Sequence, residues 1–230
     1  NLSPAEARRL APGMLWTAIV ISSSLAIGRT LISEREAGCL GALVIAPIDR
    51  GSIFLAKLVV NVVLLSVFEI TLLPVFSLMS DVSILAVWPQ LAVVMFAGTL
   101  GLAAVGTLFA LAAAGTRARE TMLPLIALPL EIPLVLAAVQ CTEAVLAGAS
   151  LTALGAWANL LFAFDALFVA VGFAIVENQG YTMAFSEVAI LIAFGRGFLA
   201  TLTHTLLAMI FGAFLMRFAA RGWRHWHLLI

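Results

Sequence analysis

The sequence predicts an all-α, polytopic membrane bundle of about six transmembrane helices, with a short charged segment between the first two. Three observations carry that prediction. Hydrophobic residues make up 63% of the 230 and charged residues only 10%, whereas soluble domains carry about 25% charge. The apolar residues form runs near or above the roughly 20 needed to cross a bilayer as a helix. The charges gather between those runs, around Glu34-Arg35-Glu36 and Asp49-Arg50 above all, as they must when ionic side chains in hydrocarbon are costly. Backbone groups in lipid have to be satisfied within their own segment, so runs this long and uniform suit helices and not barrel strands. The formal net charge is zero, which gives no pointer to nucleic acid as a partner; the lipid membrane is the expected one.

Taken in order, residues 1–12, with Arg8 and Arg9, read as a short interfacial helix, and the first span as 13–31. The charged segment 32–50 follows. After Glu36 it holds Leu40, Leu43 and Val44, then Ala46-Pro47, the pattern of a short amphipathic helix stopped by a proline. The second span reads as 53–79, with Glu69 inside it, and 80–83 as a tight turn. The third runs from 84 or 89 to 114. The fourth, 122–139, is expected to be broken by Pro124, Pro129 and Pro133, with 140–150 a loop carrying Glu143. The fifth covers 151–176 and a sixth 188–216, before a basic, aromatic tail.

Basic residues set the orientation. The charged segment and its flanks hold Arg29, Arg35, Arg50 and Lys57, and Arg117 and Arg119 lie in the next loop on that side. The positive-inside rule places both in the cytosol, with residues 1–12 and 140–150 outside. The last segment runs against this pattern, because a sixth span would carry Arg217, Arg221 and Arg224 outward. Either residues after about 178 have a different origin, which divides the chain into a permease-like unit over 1–176 and an extra membrane segment with a basic tail over 177–230, or one of these runs does not cross. The chain opens on Asn, with no signal-type leader, which suggests a segment missing upstream.

The candidate chemistry is sparse. There is no Walker A loop, no GxGxxG before a helix, no CxxC pair and no HExxH, so energy for transport has to come from a partner. The charged segment serves either as a docking helix, its apolar residues anchoring in a groove of a cytosolic subunit, or as a helix lying on lipid headgroups. Glu69, Glu131 and Asp165 fall within spans, where an acid is a functional-site hypothesis by default. The plainer reading of Glu69 is a place near the outer interface or a pairing with a neighbouring span. Glu131, between Pro129 and Pro133, marks either a flexible, partly hydrated segment or a structural kink. Asp165 is either a buried hydrogen-bonding acid or part of a polar path. Gly98, Gly101 and Gly106 permit close helix packing. Trp16, Trp88 and Trp157 read as membrane-interface anchors. His204 is either a packed histidine or a haem or metal ligand. Cys39 and Cys141 fall on opposite faces and read as small apolar residues.

A resemblance narrows these choices. The segments 10–16, Glu34-Arg35-Glu36-Ala37-Gly38-Cys39-Leu40, and Ala46-Pro47-Ile48-Asp49-Arg50-Gly51-Ser52 resemble the CcmB family. So, in order, do Gly98-Thr99-Leu100-Gly101, residues 113–120, and Leu123-Pro124 through Glu131-Ile132-Pro133. The likeness covers about 5–173. It implies the six-span, ABC-2-type permease subunit of the bacterial inner-membrane transporter of cytochrome c maturation, without catalysis of its own. It implies a CcmA-type ATPase that binds the ATP, and CcmC-, CcmD- and CcmE-type haem-handling proteins. It implies that the complex handles haem and releases haem-loaded CcmE, while this subunit binds no cofactor or metal itself. The ATPase-coupling role then falls on Glu34, Arg35, Glu36, Gly38, Leu40, Pro47 and Arg50. The family's first span would precede residue 1. Separately, 172–178 and the later His204 weakly resemble the PrsW-type intramembrane proteases. That implies Glu177 and His204 as ligands of a metalloprotease fragment, although the paired upstream glutamates are not visible. A haem-binding scaffold with His204 as ligand is the remaining alternative.

Overall fold

A computed structural model of the chain describes residues 4–37, 49–80, 84–112 and 119–184. The expected amphipathic helix over 40–47, the turn at 81–83, the sixth span, His204 and the basic tail lie outside the described residues. Within them the secondary structure is helical throughout: α1 (Pro4–Glu36), α2 (Arg50–Ser80), α3 (Trp88–Ala112), α4 (Arg119–Leu146), a 3-10 turn (Leu151–Leu154) and α5 (Gly155–Ala184). All five α-helices contain a stretch long and apolar enough to cross a membrane.

Helix α3 is the centre of the bundle. It packs against each of the other four helices, which contact one another in the cyclic order α1, α2, α5, α4. It is also the most deeply covered helix. The sequence explains the position: residues 88–112 contain no titratable side chain and alternate large apolar residues with small ones. Lipid tails are as apolar as leucine, so helices in a bilayer gain little from hydrophobicity alone and associate by close packing. Glycines on α3 permit that approach on three sides. A Cβ at Gly98 would strike the Trp16 ring of α1, one at Gly106 would strike Ile27 of α1, and one at Gly101 would lie 2.7 Å from the Leu134 methyls of α4 and 2.6 Å from Asp165 Oδ1 of α5.

Four sequence expectations are corrected. Residues 4–12 are not a separate interfacial helix, because α1 runs unbroken through Pro12. Its opening Pro-Ala-Glu-Ala-Arg-Arg-Leu-Ala is rich in strong helix formers, and a proline costs little at the first turn. The three prolines do not break α4. Pro129 and Pro133 lie one turn apart on its exposed face, where the lost hydrogen bonds leave the packed side of the helix intact. Residues 140–146 are helical and not a loop. The helix ends at Gly148, whose φ of 88° suits glycine, with Ala149 N–H donating to Ala144 C=O at 2.9 Å and Gly148 N–H to Val145 C=O at 2.9 Å, a Schellman closure.

The fourth correction is Trp16. It is fully buried, with its ring over Gly98 and its Nε1–H donating to Thr142 Oγ1 of α4 at 2.9 Å. It pins α1 to α3 and α4 and is no interface anchor. Trp88 and Trp157 are exposed at helix starts, as expected of a belt.

Two outcomes follow. Gly98→Val places methyls inside the Trp16 ring, and overpacking of this kind costs about 1–3 kcal/mol. It is expected to lower the unfolding midpoint of the purified chain in mixed dodecyl sulfate micelles, whereas Gly13→Val, with nothing near its Cβ, leaves that midpoint nearly unchanged. A double-mutant cycle of Trp16→Phe and Thr142→Val is expected to return a coupling of about 0.6–1.7 kcal/mol, the range of interhelical hydrogen bonds in membranes; additive effects would show that the bond carries nothing.

Candidate functional site

The residues expected to meet a partner gather at one end of the bundle. Helix α1 extends past the end of its apolar stretch at Thr30, so that Glu34, Arg35 and Glu36 fall on its last turn. Arg50 opens α2, with Asp49 just before it. Ser52 N–H donates to Asp49 C=O at 3.1 Å, and the Ser52 hydroxyl approaches the Asp49 carboxylate at 3.5 Å. Gly38, Leu40 and Pro47 lie outside the described residues. Four of the seven expected coupling positions are therefore placed, and they share one end.

Behind that end the helices are tied by polar and aromatic contacts that sequence reasoning did not single out. Asn61 Nδ2 of α2 donates to Thr107 Oγ1 of α3 at 2.8 Å, and Thr30 Oγ1 of α1 lies 3.4 Å from Asn61 Oδ1. Asn61 and Thr107 are both buried, so each finds in the other the partner that hydrocarbon cannot supply. A reciprocal contact fixes the start of α2 on α5. The Phe54 ring of α2 lies against Gly172 of α5, and the Phe173 ring of α5 lies against Gly51 of α2. Phe54 is fully buried. The signal for this lock was a glycine–phenylalanine pair in each helix, invisible until the register of α2 on α5 is known. Gly172 and Phe173 thereby have a packing role in the segment that resembled an intramembrane protease.

The three intramembrane acids are all buried: Glu69 is 4%, Glu131 3% and Asp165 5% exposed. They come from three helices that surround α3. Glu69 of α2 accepts a hydrogen bond from the Thr99 hydroxyl of α3, which matches the expectation of pairing with a neighbouring span. Asp165 of α5 abuts Gly101. Glu131 of α4 lies one turn from Leu134, which abuts the same glycine. The segment around Glu131 is helical, without the break that its flanking prolines suggested, and Glu131 is on its buried side. Glu177 is half-buried on α5. Among the described residues, no three His, Cys, Asp or Glu side chains come together in a metal-holding group. Cys141 is a buried, free thiol in the apolar core.

The profile of the family described as CcmB protein matches residues 3–178. The chain is 27% identical over 126 residues to Heme exporter protein B of Rhodobacter capsulatus, a match covering 54% of this chain and 57% of that protein. It is 29% identical over 141 residues to Heme exporter protein B of Haemophilus influenzae, covering 61% and 63%. The chain thus spans less than two thirds of the length of either curated relative. No solved structure matches it. A family profile that extends over all five membrane-length helices places this chain in the CcmB protein family.

Proposed function

We propose that this chain is the membrane-spanning, non-catalytic subunit of an ABC-type transporter of the bacterial inner membrane that serves cytochrome c maturation. The observation that supports this most is family membership across the whole helical bundle, joined to relatives named as haem exporters. A CcmA-type ATPase supplies the energy, since the sequence has no nucleotide loop of its own. CcmC-, CcmD- and CcmE-type proteins handle the haem, and the cycle ends in release of haem-loaded CcmE. Residues 1–176 form the permease unit.

The ATPase docks at the charged end of the bundle, on Glu34, Arg35, Glu36 and Arg50 together with Gly38, Leu40 and Pro47. Two features favour that end. It holds charges of both signs outside the apolar stretches, which suits register-setting ion pairs across an interface. It also stands directly below the contacts that join α1, α2, α3 and α5, so a load applied there reaches four helices at once.

Co-purification tests the reading. Affinity-tagged chain is expected to retain the ATPase subunit in dodecyl maltoside, and the triple variant Glu34→Ala/Arg35→Ala/Glu36→Ala to lose most of it while still reaching the membrane. Rim-type charge pairs cost about 0.2–1 kcal/mol each, so single substitutions are expected to weaken retention only severalfold. Equal ATPase recovery with the triple variant would sink the docking assignment.

A further inference from the structure

We propose that two buried carboxyls, Asp165 seated against α3 at Gly101 and Glu131 one turn from Leu134 on α4, are proton-binding groups within the membrane. Their role goes beyond the transport reading and needs neither haem nor the ATPase.

The geometry begins with Gly101. Its missing side chain leaves room that Asp165 Oδ1 from α5 and the Leu134 methyls from α4 fill together, 2.6 and 2.7 Å from where a Cβ would stand. Asp165 is therefore aimed at the α3 backbone, and Glu131 is buried on the neighbouring α4, one turn from Leu134. Helices α4 and α5 pack on each other as well as on α3, and Asp165 stands on the seam where they meet it. Both are at least nine-tenths buried. Among the described residues neither Asp165 oxygen has a hydrogen-bond partner, and neither does Glu131 Oε2. Glu69 differs, because Thr99 already donates to it.

What these oxygens bind follows from what faces them. Helix α3 contributes no titratable group, and its backbone N–H groups are spent within the helix. On α1, Arg29 stands two residues past Ile27, which meets Gly106, about 10 Å further along the axis than Gly101. On α2, Lys57 lies one turn beyond Asn61, the partner of Thr107, about 15 Å along the axis. Glu143 on α4 and Glu177 on α5 are each about 18 Å from the acid on their own helix. Among the described residues, then, no cation stands at the level of Asp165, and Arg29, about 6 Å along the axis from Glu131, is exposed. A metal ion needs several oxygens converging on one point, and no such group forms among the described residues. Each carboxyl by itself can hold a proton, which removes the large cost of an unpaired charge in an apolar site. Parting α3 from α4 and α5 would admit water to Asp165, so its proton reports on the opening of this seam.

Infrared spectroscopy of the full chain in dodecyl maltoside, a detergent without carbonyl groups, reads the protons directly. At neutral pH a protonated-acid carbonyl band is expected, shifted in deuterium oxide and reduced in both Asp165→Asn and Glu131→Gln. A spectrum without that band overturns the proposal, as does a band that neither variant changes. Should either variant fail to fold, the unmodified chain is treated with dicyclohexylcarbodiimide, which enters apolar regions and adds to a carboxylic acid to leave a stable N-acylurea. Peptide mass spectrometry is then expected to find the adduct on Asp165 or Glu131. Adducts confined to Glu69, Glu143 or Glu177 overturn the assignment.

Discussion

The close approach of four helices to α3 is the constraint on which the rest of the fold depends. In a bilayer the surrounding lipid competes for apolar surface on equal terms, so helices stay together only where their backbones come close enough for dense contact. The sequence of α3 meets that condition in two ways. It carries no charge that would need a hydrated neighbour, and it withdraws its side chains at Gly98, Gly101 and Gly106, where Trp16, Leu134 with Asp165, and Ile27 enter. Enlarging any of these positions pushes a whole helix outward, because what would be struck is a ring or branched side chain already held by its own neighbours.

Polar contacts divide the bundle into two regions of different character. Toward the charged end, Thr30, Asn61 and Thr107 link α1, α2 and α3, and the Gly51–Phe173 and Phe54–Gly172 contacts clamp α2 to α5. Toward the other end, Trp16 bonds Thr142 and ties α1 to α4. Between them lies the level of Gly101, where α4 and α5 meet α3 through leucine methyls and carboxyl oxygens without partners among the described residues. Trp16–Thr142 joins helices far apart in sequence and the Asn61 contacts set the register of consecutive ones, which is how five runs of nearly featureless apolar residues acquire one specific arrangement.

The helical class, the five membrane-length stretches and the packing use of the α3 glycines were legible from the sequence, because apolar run length and small-residue spacing are local signals. What was not legible depended on register. Trp16 reads as an interface anchor while its helix is taken to start at Gly13; once α1 begins at Pro4, the same residue is several turns into the helix and turns inward. Pro129 and Pro133 read as breaks until their shared exposed face is known. The Asn61–Thr107 bond and the two glycine–phenylalanine contacts required knowing which helices adjoin. For the candidate site, the charged positions were visible at once as charges between apolar runs. The behaviour of Glu131 and Asp165 was not, since a buried acid looks alike in sequence whether a donor meets it, as Thr99 meets Glu69, or none does.

The two ends of α2 and α5 bear differently on how such a bundle moves. Sliding α2 on α5 at the charged end would drive the Phe54 and Phe173 rings into backbone that has no room for them, so these two helices respond to a push there as one body. Separating α4 and α5 from α3 at Gly101 has to undo the most extensive helix packing in the bundle, but little polar bonding. Among the described residues no hydrogen bond to Asp165 is lost there, the Leu134 contact is smooth, and water reaching Asp165 gains a polar partner. Loss of packing against α3 opposes the motion, while hydration of that acid favours it. The bundle is thus clamped by rings at its charged end, while at mid-depth two acids with unpartnered oxygens sit inside its most extensive packing.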